Sequence, residues 1–181
     1  MSISQLNGST ITVCGVGRLE TTVYDVGATH VVTLIRDHGP VPTPKSVLNA
    51  NHLRVDINDI NEPAEGLVHP KEEHVSEVLN FIRAWDHRSP MIVHCFAGIS
   101  RSTASAFSGL CLLNPDVPEE LIARRLRRAS STATPNRLIV SIADDILKRG
   151  GRMVDAIDAI GQGKPAVECV PFSLSSRQVA A

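Results

Sequence analysis

One run in the chain has the residue types and spacing to do chemistry together: Val93-His94-Cys95-Phe96-Ala97-Gly98-Ile99-Ser100-Arg101-Ser102. Met91 to His94 is short and apolar and reads as a central strand, while Ser102 to Leu113 has the length and composition of a helix. A turn feeding a helix N-terminus aims several backbone N–H groups at one point, with about half a positive charge from the helix dipole. Such a cradle binds a tetrahedral oxyanion. Cys95 at its base would feel that field together with the Arg101 guanidinium, a setting that favours the nucleophilic thiolate. Arg101 offers a fork of donors for two equatorial phosphate oxygens, and Gly98 lets the backbone turn tightly without a Cβ. The expected phosphate-binding positions are therefore Phe96, Ala97, Gly98, Ile99, Ser100 and Arg101. A bound phosphate or sulfate is the expected occupant.

A thiolate that displaces an alkoxide needs a proton for the leaving oxygen, which calls for a carboxylic acid on a loop after a strand. Val55-Asp56-Ile57-Asn58-Asp59 offers two. Asp56 falls inside the alternation of the expected strand His52 to Ile57, and Asp59 comes just past its end, so Asp59 is the preferred acid.

Three strands are expected in the first half of the chain, at Ile11–Val16, His30–Ile35 and His52–Ile57, from their β-branched content, glycine boundaries and alternation. His69-Pro70-Lys71-Glu72-Glu73 opens an amphipathic helix carrying Val75, Val78, Leu79, Ile82 and Trp85, which ends before Ser89-Pro90. Asp116 with Glu119 suggests a capping box for a helix to about Ala129, Thr134-Pro135 opens another that closes at Gly150-Gly151, and Arg152 to Ile160 forms a last one. Strands early, one strand-helix-strand unit in the middle and helices late imply a single α/β domain over residues 1–162. Its sheet should be central and mostly parallel, flanked by helices that lie mainly on one face. Residues 163–181 lack a helical period and read as an extended or flexible tail, with Val167–Val170 a candidate edge strand.

Composition narrows the function. The 181 residues carry a net charge of -1 and only 3% aromatics, which speaks against nucleic-acid or anionic-membrane partners. No secretory signal or long apolar run is present in this sequence, so a cytoplasmic, reducing setting is expected and the four cysteines are read as free thiols. Arg124-Arg125-Leu126-Arg127-Arg128 reads as a solvated helix face, and Cys111 as a core residue rather than a trap for oxidised Cys95. His69 and His74 flank Glu72 and Glu73 without a third ligand cluster. No metal and no cofactor are expected.

The run from His94 to Ser102 also resembles the signature of the cysteine-dependent protein tyrosine phosphatases, Cys, five residues, Arg, then Ser or Thr, in the form of the dual-specificity branch. Gly27-Ala28-Thr29-His30-Val31-Val32 and Pro135-Asn136 fit that branch, so the resemblance spans roughly Ile11 to Leu147. It implies a phosphomonoester hydrolase with Cys95 as nucleophile, Arg101 as phosphate binder and Asp59 as general acid. It also implies that Ser102 donates to the sulfur as phosphoenzyme breaks down and that His94 orients the cysteine loop. Phosphorylated protein, above all at tyrosine, or a small phosphomonoester is the implied substrate. Two rivals remain open: a rhodanese-like sulfurtransferase, and an idle phosphopeptide-binding module.

Overall fold

The structure is a computed structural model of the chain and describes residues 9–36 and 39–177. Its elements are β1 (Thr10–Gly15), α1 (Leu19–Val26), β2 (His30–Leu34), β3 (His52–Val55), α2 (Glu72–Ala84), β4 (Met91–Cys95), α3 (Arg101–Leu113), α4 (Glu119–Ala129), α5 (Arg137–Leu147), α6 (Arg152–Ile160) and β5 (Phe172–Ser175). The strands form one sheet in the order β3-β2-β4-β1-β5. The first four are parallel and β5 alone is antiparallel, against β1.

Alternation along the strands sorts their side chains into two cores. Ile11, Val13, Val32, Leu34, Val55, Met91, Val93 and Cys95 face the larger one, under α2 to α6. Cys14, Val31 and Ile92 face the smaller one, with Leu19 and Val23 of α1 and with Val47. The helix at the centre is α3, buried from Arg101 through Cys111. Gly109 permits its close approach to α2, because a Cβ there would stand 2.6 Å from Ile82 Cδ1. Among the described residues no helix is long and apolar enough to cross a membrane.

The fold class read from the sequence is the one observed, with local corrections. Helix α1 was not expected: Thr21, Thr22, Val23 and Val26 favour strands, and only Leu19, Thr22 and Val23 are buried, so its apolar face is too short to show a period. Its one clear signal is Gly27, left-handed at φ 68 as a helix C-terminal glycine. Strand β3 stops at Val55, which leaves Asp56 exposed beyond it. No capping box opens α4, because Glu119 is turned inward to Arg149 and Arg152.

Residues 163–177 are tied to the domain by Lys164 N–H to Ser131 O, Cys169 N–H to Ala97 O and Ser176 N–H to Ser9 O. The edge strand lies at Phe172–Ser175 and not at Val167–Val170, since Phe172 and Leu174 alternate into the core while Val167 and Val170 stay exposed. Residues 178–181 of the expected tail lie outside the described residues. Arg127 also departs from the solvated-face reading: its guanidinium donates to the carbonyls of Ala133, Gly161 and Gln162 and pins the end of α6 to α4.

Candidate active site

The parallel sheet ends at the candidate site. Cys95 is the last residue of β4, and α3 begins at Arg101, so the five residues between them form the expected strand-to-helix turn. The carbonyls of this loop are tied outward. Val16 N–H donates to Phe96 O (3.0 Å), Cys169 N–H to Ala97 O (2.9 Å), Thr134 N–H to Ile99 O (2.9 Å) and Asn136 N–H to Ser100 O (3.3 Å). In a trans peptide the next N–H points opposite to its carbonyl, so the amides of Ala97, Gly98, Ser100 and Arg101 turn toward the interior of the loop. Gly98 sits at φ 72, and a Cβ there would run into Cys169 Sγ and lie 2.6 Å from the Cys14 carbonyl carbon. Only glycine meets both demands.

The Cys95 thiol is 1% exposed and stands 3.2 Å from the Ser102 hydroxyl. Arg101 is 7% exposed, and one of its terminal nitrogens donates to Ile57 O at 2.8 Å. Its Nε has no hydrogen-bond partner and lies 3.9 Å from Asp59 Oδ2. A buried guanidinium N–H without a hydrogen bond is costly, and Asp59 at 3.9 Å is too far to accept it, so the residues present suit an oxyanion inside the loop.

Asp59 is placed four residues beyond β3. Its Oδ1 accepts from Ser100 Oγ (2.7 Å) and from Asn136 Nδ2 (2.9 Å). That oxygen is saturated, which leaves Oδ2, on the Arg101 side, as the one able to carry or take a proton. The stretch bearing Asp59 is itself held: Asn58 N–H donates to Val68 O and Val68 N–H to Asn58 Oδ1, both at 2.8 Å. Asp56 lies elsewhere, lining a surface cavity with Thr33, Ile35, Arg36 and Arg54. The structure therefore brings Cys95, Arg101, Ser102 and Asp59 together and leaves Asp56 out.

His94 points to the opposite face of the sheet from Cys95, as neighbours on a strand must. Burial holds its pKa down at about 4, with the Cys95 backbone pulling partly the other way and His52 adding to the fall. His52 is likewise lowered to about 4, first by burial and then by Arg54. Both rings are neutral in the fold, whereas unfolded rings protonate near 6.5, so the unfolded chain binds more protons between those values. Their contribution to stability is complete above pH 6.5 and is lost as pH falls toward 4, by at most roughly 3 kcal/mol per ring. Thermal melts should fall steeply between pH 6.5 and 4.5. A melting temperature that stays level across that window would contradict the buried, neutral state.

The anchors of the loop were not legible in sequence. Val16, Thr134 and Cys169 act through backbone amides, which carry no residue signature. Asn136 stands out in sequence only as part of Pro135-Asn136, yet it caps α5 through Ile139 N–H, holds Ser100 O and supports Asp59. Cys111 is a core residue ten positions along α3 from Arg101, roughly 15 Å away along the axis. The thiols beside the loop are instead Cys169 and Cys14, pushed up to about 11 and about 12 by burial. Among the described residues no group of three or more His, Cys, Asp or Glu side chains is arranged to hold a metal ion.

No protein-family model and no curated protein matches the sequence. Solved structures do match in fold. Human DUSP28 aligns with a TM-score of 0.58 at 17% identity, covering 77% of this chain and 92% of its own. Human tyrosine phosphatase-like serine/threonine/tyrosine-interacting protein aligns at 0.60 with 16% identity, over 77% of this chain and 91% of its own. PTPMT1 in complex with PI(5)P aligns at 0.55 with 16% identity, over 80% and 87%.

Proposed function

We propose that this chain, which has the fold of the dual-specificity and tyrosine phosphatases, hydrolyses phosphomonoesters through a phosphocysteine on Cys95. One observation carries the reading: a buried thiol lies at the floor of a loop whose carbonyls are tied outward, with Arg101 Nε free of hydrogen bonds on one side and Asp59 held at the rim by Ser100 and Asn136.

In the first step the Cys95 thiolate attacks phosphorus in line with the ester oxygen. The P–O bond breaks as the P–S bond forms, and protonated Asp59 gives its proton from Oδ2 to the leaving alkoxide. Arg101 and the inward amides hold the equatorial oxygens, whose charge persists through the transition state. In the second step Asp59, now ionised, takes a proton from water as that water attacks phosphorus. The P–S bond breaks with the Ser102 hydroxyl donating to the departing sulfur, which returns the thiolate and releases phosphate.

Protein phosphotyrosine is the proposed substrate. Phe96, Ala97, Ile99 and Ser100 bring no charge to the loop, whereas a polyanionic inositol headgroup such as that bound to PTPMT1 is better served by basic side chains there. A sulfurtransferase also sets cysteine in an anion-binding loop but has no use for a carboxyl poised as Asp59 is. The test is turnover of p-nitrophenyl phosphate, a phosphotyrosyl peptide, a phosphoinositide and thiosulfate, each with chelator present. Hydrolysis of the first two is expected. Thiosulfate turnover without phosphatase activity, or phosphoinositides turned over far better than phosphotyrosyl peptide, would overturn the reading.

A further inference from the structure

The α1 face of the sheet carries a chain of hydrogen bonds that the reaction above does not use. An Arg54 terminal nitrogen donates to Thr43 Oγ1 at 2.7 Å, and Thr43 Oγ1 lies 3.1 Å from His52 Nδ1. His52 Nε2 is 2.7 Å from Thr33 Oγ1, which is in turn 2.6 Å from His94 Nε2. Thr33 and His94 are register partners on β2 and β4, and His52 stands on the adjacent β3. His52, Thr33 and His94 are all buried. The chain thus runs across three strands from the exposed Arg54 to the residue before Cys95.

Proton counting gives it a direction. The Thr33 hydroxyl has one proton and stands buried between two ring nitrogens, so it satisfies that proton by giving it to one ring and accepts from the other. Arg54 can only donate, so Thr43 Oγ1 accepts there, and its polarised hydroxyl is free to donate to His52 Nδ1. A neutral His52 accepting at Nδ1 carries its proton on Nε2 and gives it to Thr33. The Thr33 proton then goes to His94 Nε2. A neutral His94 accepting at Nε2 must carry its own proton on Nδ1, which is buried on the Cys95 backbone side and makes no other hydrogen bond.

We propose that Thr33 and His52 are positioning residues of this site: the chain from Arg54 fixes His94 as its Nδ1–H tautomer and turns that N–H toward the Cys95 backbone, steadying the floor of the loop. The consequence for turnover rests on the phosphocysteine reading, while the tautomer does not. The groups that face His94 are Cys14 from β1, His52 and Arg54 from β3, and the α1 residue Thr22, which bonds Cys14. On the Cys95 side stand Ser102 of α3 at 3.2 Å, Arg101 with its ion-pair partner Asp59, and Cys169, while Cys14 couples to Cys95 from the opposite face of the sheet.

The test uses the full chain labelled with ¹⁵N, whose long-range proton–nitrogen spectra separate the two imidazole tautomers. In the wild type at pH 7, His94 should show a protonated Nδ1 and a bare Nε2. Thr33→Ser keeps the hydroxyl and should keep that pattern. Thr33→Val removes the donor, so His94 should lose its single tautomer, and kcat on p-nitrophenyl phosphate should fall about tenfold, one hydrogen bond's worth, at unchanged KM. The pH dependence of Cys95 alkylation by iodoacetamide should move in Thr33→Val and not in Thr33→Ser. His94 protonated on Nε2 in the wild type, which needs no variant to fold, would overturn the proposal. So would a Thr33→Val protein with the wild-type tautomer and alkylation profile. If the tautomer pattern holds in a protein that hydrolyses no phosphate ester, the function fails and the positioning chain stands.

Discussion

Cys95→Ser should abolish hydrolysis of aryl and tyrosyl phosphates while leaving the loop able to hold phosphate. The expected loss is on the order of 10⁵ to 10⁶ in kcat, as for removal of a nucleophile in other enzymes that work through a covalent intermediate. The size follows from what surrounds the sulfur. A serine hydroxyl needs a base to become a nucleophile, and none is in place: Ser102 is the neighbour at 3.2 Å, His94 faces the other side of the sheet with Nε2 committed to Thr33, and in this step Asp59 Oδ2 holds the proton meant for the leaving oxygen. The anion site is built from other parts. The inward amides are fixed by the bonds from Val16, Cys169, Thr134 and Asn136, and Arg101 by Ile57 O, all independent of the sulfur. Phosphotyrosyl peptide should therefore still bind the variant with near-wild-type affinity, measured by calorimetry, though it is not turned over. Persisting hydrolysis in the serine variant would remove the phosphocysteine mechanism. Equal hydrolysis-free binding by wild type and variant would favour a phosphopeptide-binding module instead.

The parts of this site legible in sequence share one property: each is a side chain in a local run. The loop from His94 to Ser102 stands out because strand, turn and helix are consecutive, so its chemistry needs no tertiary contact to be noticed. Asp59 was reachable because the end of β3 could be read from alternation, although the strand stops at Val55 and not at Ile57. Beyond local runs the signal fades. The anchoring of Ala97 O by Cys169 N–H joins residues far apart through a backbone amide that any amino acid could supply. The role of Asn136 depends on α5 starting where its side chain meets both Ser100 and Asp59. Val167 and Val170 look more strand-like than Phe172-Ser173-Leu174-Ser175, yet burial goes to the segment that reaches β1. The order of strands matters similarly: His52, Thr33 and His94 form a chain only because β3, β2 and β4 lie side by side.

Asp59→Asn should slow esters in proportion to how badly their leaving group needs a proton. For phosphotyrosine or an alkyl phosphate the loss should reach about 10² to 10⁴, the usual contribution of general acid catalysis, whereas a nitrophenol-type ester should lose far less. The substitution is nearly isosteric. The asparagine carbonyl can still accept from Ser100 Oγ and Asn136 Nδ2 where Oδ1 does now, so the loop should keep its place and the melting temperature should change little. What is lost is Oδ2, the oxygen 3.9 Å from Arg101 Nε, replaced by an amide that has no proton to give up. Plotting log kcat/KM against leaving-group pKa should then give a steeper negative slope for the variant than for wild type. Asp56→Asn is the control: exposed beyond β3 and turned to a different cavity, it should change neither the slope nor stability. A steeper slope in Asp56→Asn with none in Asp59→Asn would exchange their roles, and it would require the stretch after β3 to shift by three residues against the bonds that Asn58 and Val68 now make.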